Sequence, residues 1–214
     1  MVGIVYATRR EAEPFLSRLS AEPLAAQPFS MFQKTGGSHR DFITVISGMG
    51  KVAATIAATH LVLVHRVSRL VNAGLCGRLT TDNGWSVGDL FRIDTAVESD
   101  CDRFGHAEQT VTCDARWFGE LKAARLVTQD RPVFDAARRG QLAGFGELAD
   151  MEGAAVARVA RLYGIPCAMI KGISDAADEN GRQDVTSHIG WLSGRIADAL
   201  VRELSINPTD SHEA

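Results

Sequence analysis

Three carboxylates stand in the sequence where carboxylates can do chemistry. Glu11 follows the apolar run of residues 2–6. Glu152 sits in Asp150-Met151-Glu152-Gly153-Ala154-Ala155, and Asp175 in Ile173-Ser174-Asp175-Ala176-Ala177-Asp178. Carboxyl groups brought to one pocket can donate a proton, accept one, or hold hydroxyls beside a developing charge. Taken singly, each also has a plain structural use. A carboxylate at a helix start is favoured by the helix dipole, Asp175 lies in good capping sequence, and Glu11 suits a solvated helix face. Two glycine turns accompany them, Ser47-Gly48-Met49-Gly50-Lys51 and Asn72-Ala73-Gly74-Leu75-Cys76-Gly77. The first lacks the longer loop and the Ser or Thr after Lys of a phosphate loop, and the third glycine of a dinucleotide fingerprint. Its glycines serve either close strand–helix packing or the approach of backbone to a ligand.

The elements that must position these residues alternate along the chain. Strand-like runs are expected at 2–6, 42–47, 70–73, 90–93, 126–128 and 166–170, several of them apolar on both faces as strands between helices are. Helices are expected at 9–20, 51–67, 115–124, 134–139, 152–163 and 185–204. In the last, Ile189, Leu192, Ile196 and Leu200 form one apolar stripe. Residues 80–87, with Asp82-Asn83-Gly84, carry turn chemistry, and 205–214 read as a frayed tail after a domain spanning 1–204. This pattern predicts a single α/β domain with a central, twisted, mostly parallel (mixed) sheet flanked by helices. Ligands of such sheets collect at the carboxyl ends of the strands, where the turns above fall.

The chain has 214 residues, 45% hydrophobic and 23% charged, with a net charge of −3. Those values suit an ordinary globular domain and exclude a largely disordered chain. Charges of both signs are interspersed, so no footprint for nucleic acid is visible. No apolar run approaches a membrane span, and the N-terminus has the wrong order of charge and apolar residues for a signal peptide. Cys76, Cys101, Cys113 and Cys167 show no close pairing and read as reduced thiols, and the six histidines form no short metal-ligand cluster. A cytoplasmic protein acting on a small molecule is the expectation.

Taken together, the order β1–Glu, Ser-Gly-x-Gly-Lys-Val, Asn-x-Gly-x-x-Gly, Met-Glu-x-Ala-Ala and Ile-Ser-Asp-x-Ala-Asp resembles the purine nucleoside phosphorylase and nucleosidase superfamily. More narrowly, it is similar to the methylthioadenosine/S-adenosylhomocysteine nucleosidase and futalosine hydrolase branches. The resemblance runs from about Val2 to Leu204. It implies a nucleoside phosphorylase-like fold without metal or cofactor, and hydrolysis of the N-glycosidic bond of a 5′-modified adenine nucleoside. Such a reaction needs an acid for the departing purine and a base for water, on opposite faces of the sugar. By resemblance, Asp175 protonates purine N7, Glu11 activates water, and Glu152 beside Met151 holds the ribose hydroxyls. Ser174 orients Asp175, the Val133 backbone meets the base, and Met49, Ala73, Gly74 and Lys171 belong to the substrate-binding set.

Departures from that pattern bear on the reaction. Hexameric phosphorylases carry Arg-x-Gly-Ser where this chain has Asn72-Ala73-Gly74-Leu75. Lys171 replaces an arginine of the nucleosidases, Pro132 replaces a stacking phenylalanine with Phe134 two residues on, and Arg9 and Arg10 precede Glu11. Phosphorolysis, with Arg9 or Arg10 gripping phosphate, is therefore the alternative reaction, and a catalytically silent nucleoside-binding module the alternative class. A carboxyl at Asp175 can also accept from a 6-amino group, which favours adenine over hypoxanthine. The resemblance further implies a homodimer, for which the apolar surface of helix 51–67 is the expected source. The loop at 101–109 matches no motif, so the 5′ substituent is not specified.

Overall fold

Strand β1 (Val2–Tyr6) is buried at every position, as a strand covered on both faces must be. It pairs in parallel with β4 (Phe42–Ile46) on one edge and β5 (Arg69–Arg78) on the other. Beyond β4 the sheet continues antiparallel through β3 (Ser30–Lys34) to β2 (Glu22–Ala25), an edge strand with Pro23 in it. The computed structural model describes residues 1–81, 84–101, 104 and 110–205. The expected turn at Asp82-Asn83, most of the 101–109 loop and the tail after Ser205 lie outside those residues.

On the far side of β5 the sheet curls into a ring. β5 pairs in parallel with β10 (Cys167–Asp175), β10 antiparallel with β6 (Leu90–Glu98), and β6 in parallel with β8 (Lys122–Thr128). β8 then pairs with β9 (Leu148–Asp150), which returns to β5; β7 (Val111–Thr112) adds to β6. The architecture is thus a mixed α/β sheet, part open wing and part closed ring. Helices α2 (Lys51–Leu63) and α4 (Gly153–Leu162) pack on one side, α1 (Arg9–Arg18) and α5 (Gly181–Leu204) on the other. The short α3 (Ala136–Leu142) adds a third small cluster with β8 and β9. The stripe Ile189, Leu192, Ile196 and Leu200 is buried, as its spacing predicts.

Two sequence expectations need correction. The helix expected at 115–124 does not form. Phe118 takes φ 59, outside the right-handed helical region, and its N–H goes to Glu203 at 2.8 Å, while Trp117 lies under the Arg69 guanidinium. Lys122 already belongs to β8, so tertiary partners override local propensity here. Strands β5 and β10 also run well past the apolar runs at 70–73 and 166–170. Gly74, Gly77, Ser174 and Asp175 are therefore strand residues and not turn residues.

Candidate active site

One edge of β5 is shared by two strands that do not meet. β1 covers it from Arg69 to Asn72 and β9 from Gly77 to Arg78, leaving 73–76 without a ladder partner on that edge. The amide released there finds Glu11: Leu75 N–H donates to Glu11 Oε1 at 3.2 Å. Glu11 is held from its other oxygen by a capping box at the start of α1. Thr8 N–H and Thr8 Oγ1 both donate to Oε2, at 2.9 and 2.8 Å. Burial of this carboxylate needs Gly74, because a Cβ there would lie 2.9 Å from Oε1.

Asp175 ends β10 just after a bulge. Ile173 pairs with Cys76 and Asp175 with Gly77, so Ser174 is the extra residue. Ser174 Oγ sits 2.6 Å from Asp175 Oδ2, and Ala177 N–H donates to Oδ1 at 2.9 Å. Burial pushes the Asp175 carboxyl above its ordinary range, reinforced by Asp184 and Asp178 and opposed by those two hydrogen bonds. A Cβ at Gly77 would come within 3.0 Å of Oδ1. Glu11 and Asp175 thus abut glycines three residues apart on β5, about 10 Å at the ordinary strand rise.

The third carboxylate rises from the start of α4. Asp150 is the real cap of that turn: its Oδ2 accepts from Gly153 N–H at 2.8 Å and its Oδ1 from Thr128 Oγ1 at 2.5 Å. Lys171 Nζ reaches Oδ2 at 2.7 Å, with both side chains almost wholly buried. Burial disfavours the Lys171 ammonium, but Asp150 and Glu152 outweigh it and hold the group charged. Glu152 makes no cap; it points away and its Oε1 accepts from Gly50 N–H at 2.7 Å. Burial and the neighbouring Asp150 push Glu152 up to about 7, against the pull of Lys171 and the Gly50 hydrogen bond. Lys51 N–H is likewise taken, by Asp130 at 2.7 Å. The amides of Gly50 and Lys51, which a phosphate would use, are therefore engaged by carboxylates.

A cavity of about 470 Å³ gathers Glu11, Met49, Val133, Met151, Glu152, Ser174 and Asp175 in its wall. Three of the expected binding residues are not in that wall. Ala73 is buried in the core, Gly74 lies against Glu11, and Lys171 is buried in its pair with Asp150. Neither Arg9 nor Arg10 lines the cavity; Arg9 pairs with Glu13 at 2.5 Å and stacks on Phe32. Asp150 has no site role in the sequence motifs, nor have Arg182, Val185, Thr186 and the stripe residue Ile189 of α5, which close one side of the cavity. The spacing of Arg182, Val185 and Ile189 is a helical face, but the apolar stripe alone starts the helix too late to include Arg182. A carboxyl with raised proton affinity, a second carboxylate fixed by amide donors and a third in the same cavity wall can together drive acid–base chemistry on a polar substrate.

Comparison with known proteins gives these observations a context. Residues 1–204 match the model of the phosphorylase superfamily. The chain is 27% identical to an aminodeoxyfutalosine nucleosidase of Helicobacter pylori, covering 95% of this chain and 99% of that one. It is 29% identical to a 5′-methylthioadenosine/S-adenosylhomocysteine nucleosidase of Shewanella denitrificans, over 95% and 99%. Its fold matches the 5′-methylthioadenosine/S-adenosylhomocysteine nucleosidase of S. pneumoniae, solved with a transition-state inhibitor, at a TM-score of 0.88. That match has 22% identity and covers 95% of this chain and 97% of the other. It also matches a futalosine hydrolase mutant of Helicobacter pylori at a TM-score of 0.84, with 23% identity over 93% and 96%.

Proposed function

The chain belongs to the phosphorylase superfamily, and from that premise we propose that it is a purine nucleosidase acting on a 5′-modified adenine nucleoside. The observation that carries this is the meeting of Glu11, Glu152 and Asp175 in one cavity wall that neither Arg9 nor Arg10 joins. Asp175, with its raised proton affinity, gives a proton to purine N7 as the glycosidic bond breaks. Glu11, fixed by Thr8 and Leu75, orients water toward the anomeric carbon. Glu152 takes the ribose hydroxyls and adds negative charge beside the oxocarbenium-like sugar. The names of the relatives support substrates of the methylthioadenosine, S-adenosylhomocysteine or aminodeoxyfutalosine type.

Phosphorolysis needs a dianion held by several fixed donors beside the sugar. Here Leu75 offers no hydroxyl, Asn72 donates to Val5 O, and the amides of Gly50 and Lys51 are taken. Incubation of methylthioadenosine with the protein in phosphate buffer should release adenine and free sugar. Sugar 1-phosphate as the main product would replace this reading with phosphorolysis, and no purine release from any nucleoside of a panel would leave a binding module.

The same proposal extends to assembly and compartment. Met49, Val52, Ile56 and Leu63 are exposed to 69%, 70%, 56% and 58%, one apolar line along α2 that continues into the cavity wall at Met49. A second copy packed there makes a homodimer whose interface borders the substrate. Light scattering should give a dimer, and Ile56→Asp a monomer. Cys76, Cys113 and Cys167 are buried free thiols, in keeping with a cytoplasmic protein. Among the described residues no helix is long and apolar enough to cross a membrane.

A further inference from the structure

We infer that His188 is a positioning residue for Asp175, acting through the carbonyl of Ser174; the inference rests on the nucleosidase reading above. The bulge in β10 takes Ser174 out of register with β5, so its peptide group needs partners from elsewhere. The side chain sits 3.2 Å from the Cys76 carbonyl and 2.6 Å from Asp175 Oδ2. The Ser174 carbonyl meets His188 Nδ1 at 2.7 Å. A carbonyl oxygen only accepts, so Nδ1 carries the hydrogen and donates it. The carbonyl carbon of Ser174 is bonded to the nitrogen of Asp175. Turning that peptide plane swings both the Asp175 carboxyl and the hydroxyl that aims it.

The residues around His188 hold this donor in place. Its ring meets the edge of Trp191 with centroids 5.9 Å apart, and Trp191 closes over Gly88, where a Cβ would lie 2.8 Å from the indole. Gly88 N–H in turn donates to the Ile173 carbonyl at 2.9 Å. The two peptide groups preceding Asp175 are thus anchored in succession, Ile173 by the loop at Gly88 and Ser174 by α5. His188 is not in the cavity wall. Its effect therefore falls on the geometry of proton delivery and not on binding.

The test compares three substitutions. In His188→Asn the amide nitrogen sits on Cγ, as Nδ1 does, and can donate to the same carbonyl. In His188→Gln the donor is one carbon too far, and His188→Ala has none. Steady-state adenine release should show kcat down roughly 10- to 100-fold in Ala and Gln with KM within about twofold, and most of kcat restored in Asn. A second readout needs no turnover: the Asp175 carboxyl titration followed by ¹³C NMR. It should move in His188→Ala, which frees the hydroxyl that aims the carboxyl, and hold its wild-type position in His188→Asn. Full kcat in His188→Ala, or equal losses in Asn and Ala, would overturn the inference, as would an unmoved titration. If the wild-type protein releases no purine, the reaction reading fails, while the titration still decides the role of His188.

Discussion

Replacing Lys171 by Met should cost far more stability than its loss of charge at a surface would. Lys171 and Asp150 are 2% and 1% exposed at their side chains, with Nζ 2.7 Å from Oδ2. Removing one partner of such a buried pair leaves the other uncompensated, at a cost of about 3–5 kcal/mol. Asp150 keeps Thr128 Oγ1 and Gly153 N–H, which puts the expectation at the lower end, about 3 kcal/mol. For a chain of this length that is roughly 6–12 °C in Tm. Asp150→Asn/Lys171→Met should recover most of it, because no lone charge remains. Glu152 supplies an internal check. Lys171 pulls its titration down, so Lys171→Met should raise it above about 7 and leave more of the group protonated at pH 7.5, with turnover reduced. The assays are urea unfolding and adenine release at that pH. A single variant within about 1 kcal/mol of wild type, or a double variant no better than the single, would refute the buried-pair account.

Other perturbations give separate readouts. Glu152 titrates at about 7 in the fold against 4.5 as an ordinary glutamate, so the folded state holds the extra proton between those values. This group's contribution to stability therefore falls as pH rises from about 4.5 to 7 and is constant above; unfolding of Glu152→Gln should lack that slope. If ionised Glu152 holds the sugar, kcat/KM should climb on an acid limb near pH 7, a limb absent from the residual activity of Glu152→Gln. Glu11→Gln keeps the side-chain shape but cannot accept a proton, and should lower kcat about 10²- to 10⁴-fold while inhibitor binding by calorimetry holds. Gly77→Ala sets a methyl 3.0 Å from Asp175 Oδ1 and 3.3 Å from the Ala177 Cβ. It should lower kcat at least tenfold with about 1–3 kcal/mol lost in unfolding, and unchanged kcat would contradict the placement of the acid.

Much of this molecule is legible from local chemistry. The apolar run of β1, the stripe on α5 and the small residues opening α4 are periodic signals that survive any tertiary arrangement compatible with burial. The three carboxylates also stand out, because their motif order is a property of the chain. What the sequence does not contain is the set of partners. Residues 115–124 have a helical composition, yet Glu203 and Arg69 claim Phe118 and Trp117 and turn the backbone instead. Strands β2, at the edge, and β3 beside it have weak patterns because they bury only part of themselves. The unpaired stretch of β5 exists only because β1 leaves that edge before β9 joins it, and the bulge at Ser174 only because β10 must stay in register with β5. Lys171 reads as a binding cation in the sequence and becomes a buried counter-ion in the fold. A strand residue's face and depth are set by the neighbours across the ladder, which lie far away in the chain and come together only in the folded state.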